Sequence, residues 1–220
     1  MKSILKLTLS LLAFTVFFIV GCESTETIET SEKKEVAGDH GSDETEILKI
    51  NKSSSIVEWI GRKVTGEHNG TVDVKSGELF LKDGKVTGGK FVIDLNTIKV
   101  LDLTDPEYNA KLTGHLKSDD FFSVDSHPEA KFEITSVFEK ADATGNTHKV
   151  SGNLTIKGIT KNITFPAVIK VNGQSVSTSS DFNIDRTEWD IRFRSGKFFE
   201  NLGDNMINDD FNIKFKIIAE

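Results

Sequence analysis

Cysteine is nearly absent: Cys22 is the only one among 220 residues, so no intramolecular disulfide can form and the fold must depend on its packed core. Tyrosine and tryptophan are also scarce, with one and two copies, whereas phenylalanine occurs sixteen times. Phenylalanine fits a pleated apolar surface and brings no polar group that needs a partner, as in an all-β protein closed around an apolar interior. Ordinary core packing uses the residue in the same way, so this bias leaves both interpretations open.

Several signatures of chemistry are also missing. No serine lies in a G-x-S-x-G elbow, no phosphate-loop spacing occurs, and no two histidines have the i, i+4 spacing of a zinc protease. The chain carries no basic stripe. Residues 23–46 contain nine acidic residues and two lysines, and their net charge equals the −7 of the whole chain. The remainder is nearly neutral, which predicts no nucleic-acid partner. We expect no cofactor, no metal and no catalytic group.

The first 46 residues differ in composition from the rest. Basic residues precede an apolar run over 7–20, as in a bacterial export signal, and the run is short for a membrane span. The run ends in Ile19-Val20-Gly21-Cys22, which resembles a lipoprotein lipobox, so we expect a signal peptide over 1–21 and lipidation at Cys22. A plain signal peptide with a chance cysteine, or an uncleaved anchor, is the alternative. Residues 22–46 predict an acidic, flexible tether.

Alternation of apolar and polar residues begins at residue 47 and continues almost to the end of the chain. The candidate strands are 47–51, 55–64, 70–75, 77–83, 87–99, 130–139, 147–157, 162–172, 176–186 and 209–219. The segment 150–171 is a hairpin in which Leu154, Ile156 and Phe165 share one face and Gly158 permits the turn. A hairpin with one apolar side needs further strands to cover it.

One helix interrupts this pattern. Asp at 105 and Pro at 106 form a helix start, and Tyr108, Leu112 and Leu116 follow at helical spacing. These residues predict one short amphipathic helix near 106–117 that lies over an opening of the fold.

The remaining non-strand segment contains Phe198 and Phe199 and predicts a small helical turn near 196–203. About ten antiparallel strands with one helix predict a single all-β domain over 47–220, a barrel or a sandwich. Closure into a barrel would remove the edge strands. An antiparallel barrel of about eight strands has an interior wide enough for one apolar ligand.

Several motifs occur in order along this domain. They are Val57-Glu58-Trp59, Gly61-Arg62-Lys63-Val64, His68-Asn69-Gly70, residues 88–94, 115–122 and 127–132, the hairpin at 150–158, and Phe182-Asn183-Ile184-Asp185-Arg186 with Trp189. Together they resemble the YceI-like family of bacterial exported proteins, lipocalin-like barrels associated with polyisoprenoid binding. The resemblance implies an antiparallel lipocalin-like barrel of about eight strands whose cavity holds a long isoprenoid chain, such as a quinone tail or a polyprenyl carrier.

With that resemblance, the apolar strand faces predict the lining of the cavity. The predicted lining residues are Phe91, Ile93, Phe132, Ile134, Leu154, Ile156, Phe165, Phe182, Ile184, Phe211 and Phe215. For each of them, ordinary core packing predicts the same pattern. We expect His68 and His115 to form hydrogen bonds near the barrel mouth, to backbone or to a ligand head group. A metal site assembled from distant histidines is the alternative.

Arg186 has two interpretations. Acidic neighbours and Trp189 favour a structural ion pair with stacking, whereas contact with a phosphate or a quinone oxygen at the entrance is the functional alternative. For the whole chain, two hypotheses compete with lipid binding: a histidine- or metal-dependent enzyme acting on a small apolar substrate, and an adhesion lipoprotein with a packed barrel. Glu23, which follows the cysteine, favours anchoring at the outer membrane, and the resemblance leaves a homodimer open.

Overall fold

A computed structural model describes residues 25, 27–36 and 45–220. The strands are β1 (Thr30–Glu32), β2 (Glu46–Lys49), β3 (Ile56–Lys63), β4 (Gly66–Lys82), β5 (Lys85–Val100), β6 (Glu129–Glu139), β7 (His148–Ile156), β8 (Ile159–Asn172), β9 (Ser175–Asp185) and β10 (Ile207–Ala219). One α-helix, α1 (Pro106–Lys117), lies between β5 and β6. Short 3₁₀ turns occur at Lys52–Ser54, Arg186–Trp189 and Gly203–Asn205.

The strands from β3 to β10 form a closed barrel. Each pairs in antiparallel fashion with the next along the chain, and β10 returns to pair with β3. The β7–β8 hairpin turns at Lys157 and Gly158, both with positive φ (49° and 76°), as a type I′ turn requires. The predicted all-β barrel of about eight strands with one short helix is confirmed.

A bulge separates two halves of β4. Residues 70–75 and 77–83 were expected to be separate strands, but they form one continuous strand. The pairing with β5 shifts register between Val74 and Ser76, and this extra residue reverses the alternation. Val72 and Val74 are buried before the bulge, and Leu79 and Leu81 after it. A strand with a bulge therefore looks like two strands in the sequence.

Strand β2 completes the barrel wall at the end opposite to α1. It pairs with β4 over Glu78–Leu81, beyond the part of β4 that pairs with β3. On its other side, the backbone groups of Lys49 and Glu220 exchange two hydrogen bonds. Because β2 pairs on both sides, it satisfies backbone groups that the eight main strands leave open.

Strand β1 has the same role between β8 and β9. These two strands pair only from Val168–Ser179 toward their turn and separate on the other side. In the separated region, Thr30 pairs with Ile163 of β8, and the N–H of Ile28 donates to the carbonyl of Asn183 of β9.

Side chains of the barrel hold the N-terminal segment as well. The side-chain amide of Asn153 exchanges hydrogen bonds with the backbone of Lys34, and Thr30 Oγ1 donates to Glu188. Residues 27–36, which were expected to belong to a flexible tether over 22–46, pair with the barrel and stay largely exposed, because the open edges of β8 and β9 supply backbone partners that composition does not reveal. The predicted signal peptide and the lipidation site at Cys22 lie outside the described residues.

Helix α1 lies at one end of the barrel. The carboxylate of Asp105 caps it by accepting hydrogen bonds from the N–H groups of Glu107 and Tyr108. Leu112 and Leu116 pack against the core, but Tyr108 is 65% exposed. Asn109 faces the barrel in its place, and its amide donates to the carbonyls of Val100 and Leu103. Among the described residues, no helix is long and apolar enough to cross a bilayer.

Candidate functional site

The barrel interior contains two adjoining cavities of about 120 Å³ and about 160 Å³. The smaller one lies toward the β4–β5 and β8–β9 turns and is called the turn-side chamber here. The larger one lies under α1 and is called the helix-side chamber. Val57, Ile93, Leu154 and Ile213 line both, so the chambers meet at a ring formed by β3, β5, β7 and β10.

Five phenylalanine rings line the turn-side chamber together with aliphatic side chains. Phe165 stacks on Phe182 with ring centroids 4.5 Å apart, and it contacts Phe132 at 5.6 Å and Phe215 at 5.9 Å. Gly152 makes room for this cluster, because a Cβ at that position would overlap the Phe132 ring. Except for the hydroxyl of Thr178, the side chains that line this chamber are apolar.

The helix-side chamber combines apolar walls with a few polar groups. Leu116 of α1 and two rings of the following loop, Phe121 and Phe122, close its end. Trp59 and Arg186 also line it. The two aromatic loops differ in position: Phe121 and Phe122 line the chamber, whereas Phe198 and Phe199 are 45% and 50% exposed.

Ten of the eleven predicted apolar lining residues reach a chamber. They are Phe91, Ile93, Phe132, Ile134, Leu154, Ile156, Phe165, Phe182, Phe211 and Phe215. Ile184 is fully buried and lines neither chamber. Contact between any of these side chains and a ligand stays a prediction.

Arg186 is held in the chamber wall by protein acceptors. Its guanidinium donates to the carbonyls of Asn208, Ile191 and Ile207 and lies 3.4 Å from the carboxylate of Asp209. Burial lowers the pKa of Arg186, while the negative charges of Asp209 and Asp185 oppose that shift. Arginine nevertheless stays protonated at neutral pH.

The partners of Arg186 differ from those expected. The guanidinium lies 5.9 Å from the ring centre of Phe121, whereas the indole of Trp189 is fully buried and donates to the carbonyl of Leu154. Asp185 pairs with Lys197 instead, and it caps the Arg186–Trp189 turn through the N–H of Thr187. The acidic neighbours of Arg186 in the sequence are not its partners, because Asp209 of the adjacent strand β10 forms the ion pair instead.

The two predicted mouth histidines line neither chamber. His68 Nδ1 lies 2.7 Å from Asp102, and the ring of His115 packs edge-on against Phe193 at 4.5 Å and Phe121 at 5.0 Å. Burial acts to raise the pKa of Asp102, but hydrogen bonds from the N–H of Asn69 and from His68 outweigh it, so this pKa lies below its ordinary value. Within the described part of the chain, no three His, Cys, Asp or Glu residues cluster as a metal site would require.

Trp59 is one of the chamber residues that sequence reasoning missed. It was noted only as part of a motif, although its place on β3, two residues after Val57, puts it on the inward face. The available signal was the alternation itself, which continues from Val57 through Trp59 to Gly61, all of which line the helix-side chamber.

Comparison with known proteins agrees with this architecture. The sequence matches the YceI-like domain over residues 48–219. The chain belongs to the YceI-like family. This YceI-like chain is 32% identical over 106 residues to a UPF0312 protein of Pseudomonas putida KT2440, covering 48% of the chain and 51% of that protein. Over 98 residues it is 34% identical to a UPF0312 protein of Shewanella denitrificans, covering 44% and 47%. It thus spans about half the length of the curated relatives it matches.

Solved structures share the YceI-like barrel. BcnA of Burkholderia cenocepacia aligns with a TM-score of 0.56 at 23% identity, over 78% of this chain and 99% of that one. A polyisoprenoid binding domain of Saccharophagus degradans, implicated in plant cell wall breakdown, aligns with a TM-score of 0.56 at 12% identity, over 79% and 97%. At these identities the likeness shows a common fold.

Proposed function

We propose that this YceI-like chain binds a long apolar isoprenoid lipid, a quinone or a polyprenyl chain, inside its barrel and outside the cytoplasm. The observation that carries the proposal is the pair of adjoining chambers, which meet at Val57, Ile93, Leu154 and Ile213. An elongated apolar interior suits an elongated apolar ligand. The name of the Saccharophagus domain, which shares the fold, supports the same ligand class.

The energetics suit such a ligand. Burial of each CH₂ contributes about 0.8 kcal/mol, so a few isoprene units supply about micromolar affinity after the cost of ordering the chain. The predominantly apolar lining supplies this energy without a catalytic group, and the aromatic cluster around Phe165 adds a large contact surface.

The first test is chemical. An organic extract of the purified protein is examined by mass spectrometry, and the emptied protein is then offered a quinone with an isoprenoid tail. We expect a co-purifying isoprenoid lipid, or uptake of the quinone at about one molecule per chain. Repeated absence of both would refute the proposal.

A variant pair tests the place of binding. Ile213→Phe narrows the ring between the chambers, so we expect chains of four or more isoprene units to bind at least tenfold more weakly. Lys214→Phe places the same ring on the exposed face of β10 and is the matched control. Equal binding by both variants would show that the chain does not pass through the ring.

We also propose that the barrel is held at a membrane by a lipid on Cys22, in the outer membrane where the cell has one. The sequence Ile19-Val20-Gly21-Cys22 supports this placement. Growth with a labelled fatty acid should label the protein, and Cys22→Ala should abolish the label. A labelled Cys22→Ala protein would contradict the proposal.

A further inference from the structure

The starting observation is the composition of one loop between β9 and β10. Residues 192–199, Arg-Phe-Arg-Ser-Gly-Lys-Phe-Phe, contain three cations, three phenylalanines and no acidic residue. Segments that lie at the surface of a bilayer combine basic residues with large apolar ones in this way. We call residues 192–199 the Phe198 loop.

The Phe198 loop holds two adjacent rings toward solvent. Phe198 and Phe199 stay about half exposed, and their N–H groups both donate to the carbonyl of the buried Ser195, at 3.1 Å and 3.0 Å. Val64, which is 55% exposed, lies beside the loop: its N–H donates to the carbonyl of Met206, whose sulfur lies next to Gly196. Exposed apolar side chains that cluster in this way mark a binding surface.

The cations of the loop surround these rings. The guanidinium of Arg192 lies 4.7 Å from the ring centre of Phe198 and pairs with Asp190. Lys197 pairs with Asp185, and Arg194 lies 5.1 Å from the ring centre of Phe193. Basic side chains beside apolar ones suit the head-group level of a bilayer. Because two of the three cations are paired, we expect apolar insertion to provide most of the binding.

The N-terminal segment brings the expected lipid anchor to the same side of the barrel. The carbonyl of Thr25 accepts a hydrogen bond of 2.7 Å from the side-chain amide of Asn183 on β9. Cys22 precedes Thr25 by three residues, which span at most about 11 Å. Asp185, two residues after Asn183 on β9, pairs with Lys197 of the Phe198 loop. A lipid on Cys22 would therefore hold this side of the barrel at the bilayer surface.

The Phe198 loop also contacts the end of the helix-side chamber. It connects β9 to β10 at the end of the barrel that carries α1. The ring of Phe193 lies 5.9 Å from the ring of Phe121, which lines the helix-side chamber. Contact between the loop and a bilayer would place this end of the barrel at the membrane surface.

We propose that Phe198 and Phe199, with Val64 beside them, insert into the phospholipid bilayer that holds the lipid on Cys22, and that isoprenoid lipid enters the barrel at this end. This inference rests on the proposed lipid binding and the proposed anchor. It extends both, because it names the face of the barrel that meets the membrane.

Quenching of tryptophan fluorescence tests the insertion. The full, lipidated chain is incorporated into vesicles of phosphatidylethanolamine and phosphatidylglycerol whose acyl chains carry bromine, which quenches tryptophan on contact. Phe198→Trp places a reporter in the loop, and Phe138→Trp is the matched control, because Phe138 is 59% exposed on β6 near the opposite end of the barrel. The unsubstituted chain gives the emission of the two native tryptophans. We expect bromine to remove most of the emission that Phe198→Trp adds and little of that from Phe138→Trp.

Three results would overturn the insertion. Equal quenching at both positions would show that the barrel has no preferred face at the membrane. Unquenched emission from Phe198→Trp in vesicle-bound protein would show that the loop stays in water. Emission that changes with protein concentration in the absence of vesicles would show that a second copy of the chain covers the loop.

A double variant, Phe198→Ser with Phe199→Ser, tests the entry route. We expect transfer of a quinone from vesicles to the barrel to become at least about tenfold slower, as loss of one buried phenylalanine allows, with unchanged affinity for the quinone in detergent. Phe138→Ser is the control and should transfer at the rate of the unsubstituted chain. Equal rates in all three proteins would overturn the entry route and leave lipid binding in place.

The outcomes also separate this inference from the proposed function. If no protein takes up quinone even in detergent, both lipid binding and the entry route fail, whereas quenching at position 198 still decides the insertion. If Cys22 carries no fatty-acid label but the loop is quenched, the anchor fails and the insertion stands.

Discussion

At the scale of single residues, Gly152 determines how the aromatic cluster fits. Gly152→Ala would place a Cβ against the Phe132 ring and the carbonyl of Glu133, so we expect a loss of about 1–3 kcal/mol in the free energy of unfolding, as overpacking of a core costs. Urea unfolding measures this change. Gly61→Ala is the control, because a Cβ there meets no atom within 4 Å, and it should change stability by less than about 0.5 kcal/mol. Equal effects would rule out the steric explanation.

Asp185 should make the free energy of unfolding depend on pH. Burial acts to raise the pKa of Asp185, but hydrogen bonds from Lys197 and Thr187 outweigh it and keep the pKa below its ordinary value. A carboxylate whose pKa is lowered in the folded state stabilises the protein above its unfolded pKa, near 4, and loses this contribution as the pH falls.

The matching variant is Asp185→Asn, which keeps a capping side chain and removes the charge. Because Lys197 is partly exposed, we expect a loss of about 0.5–1 kcal/mol in the free energy of unfolding at pH 7 that is smaller at pH 3. Urea unfolding at both pH values measures it. A loss that is the same at pH 3 and pH 7 would show that the charge is not the cause.

The positions of single residues show which parts of the candidate site a sequence pattern can predict. Phe165 and Phe182 lie on the turn-side chamber because period-two alternation fixes which face of a strand a side chain occupies, and their contact with a ligand stays a prediction. His68 and His115 were placed by motif alone, and the positions of loop residues depend on tertiary packing that alternation does not encode.

At the scale of elements, the N-terminal segment around β1 forms part of the barrel wall. Its pairing with Lys161–Ile163 and its contact with Asn183 fill the region where β8 and β9 separate. Thr30→Pro removes a backbone donor and the hydroxyl bonded to Glu188. We therefore expect faster hydrogen exchange at the N–H of Ile28, which donates to the carbonyl of Asn183, and in β8 around Ile163, with little change at the β4–β5 pairs.

The control for this element is Glu29→Pro, since Glu29 lies outside β1 and no strand pairing includes it. Uniform exchange changes over all strands in Thr30→Pro would indicate global destabilisation instead of a local opening. Strand β1 escaped sequence analysis because three residues cannot show a period, and the acidic composition around it is typical of a solvated linker. Helix α1, in contrast, was predictable, because its Asp cap and proline act locally.

At the scale of the whole molecule, all eight barrel strands contribute to the turn-side chamber. One lining residue from each strand illustrates this: Val57, Leu79, Phe91, Phe132, Val150, Phe165, Val176 and Phe215. A ligand in this chamber would contact the entire wall, so binding is coupled to the global fold and not to one loop. The number of strands left a barrel and a sandwich open, and closure was expected from the resemblance to the YceI-like family. The division of the interior at Ile93 and Leu154 depends on side-chain packing that no sequence pattern reports.

This geometry predicts how ligand binding changes stability. A ligand that binds only the folded state at about 100 times its Kd should raise the free energy of unfolding by about 2.7 kcal/mol. Because the lining is mostly apolar, we expect this gain to be the same in 0.05 M and 0.5 M salt, within error, for a quinone with an isoprenoid tail. Urea unfolding with and without the probe measures the gain, and hydrogen exchange measures its distribution. Slower exchange should extend around all eight strands; protection confined to α1 and its neighbouring loops would mean that the ligand binds at the end of the barrel and does not fill it.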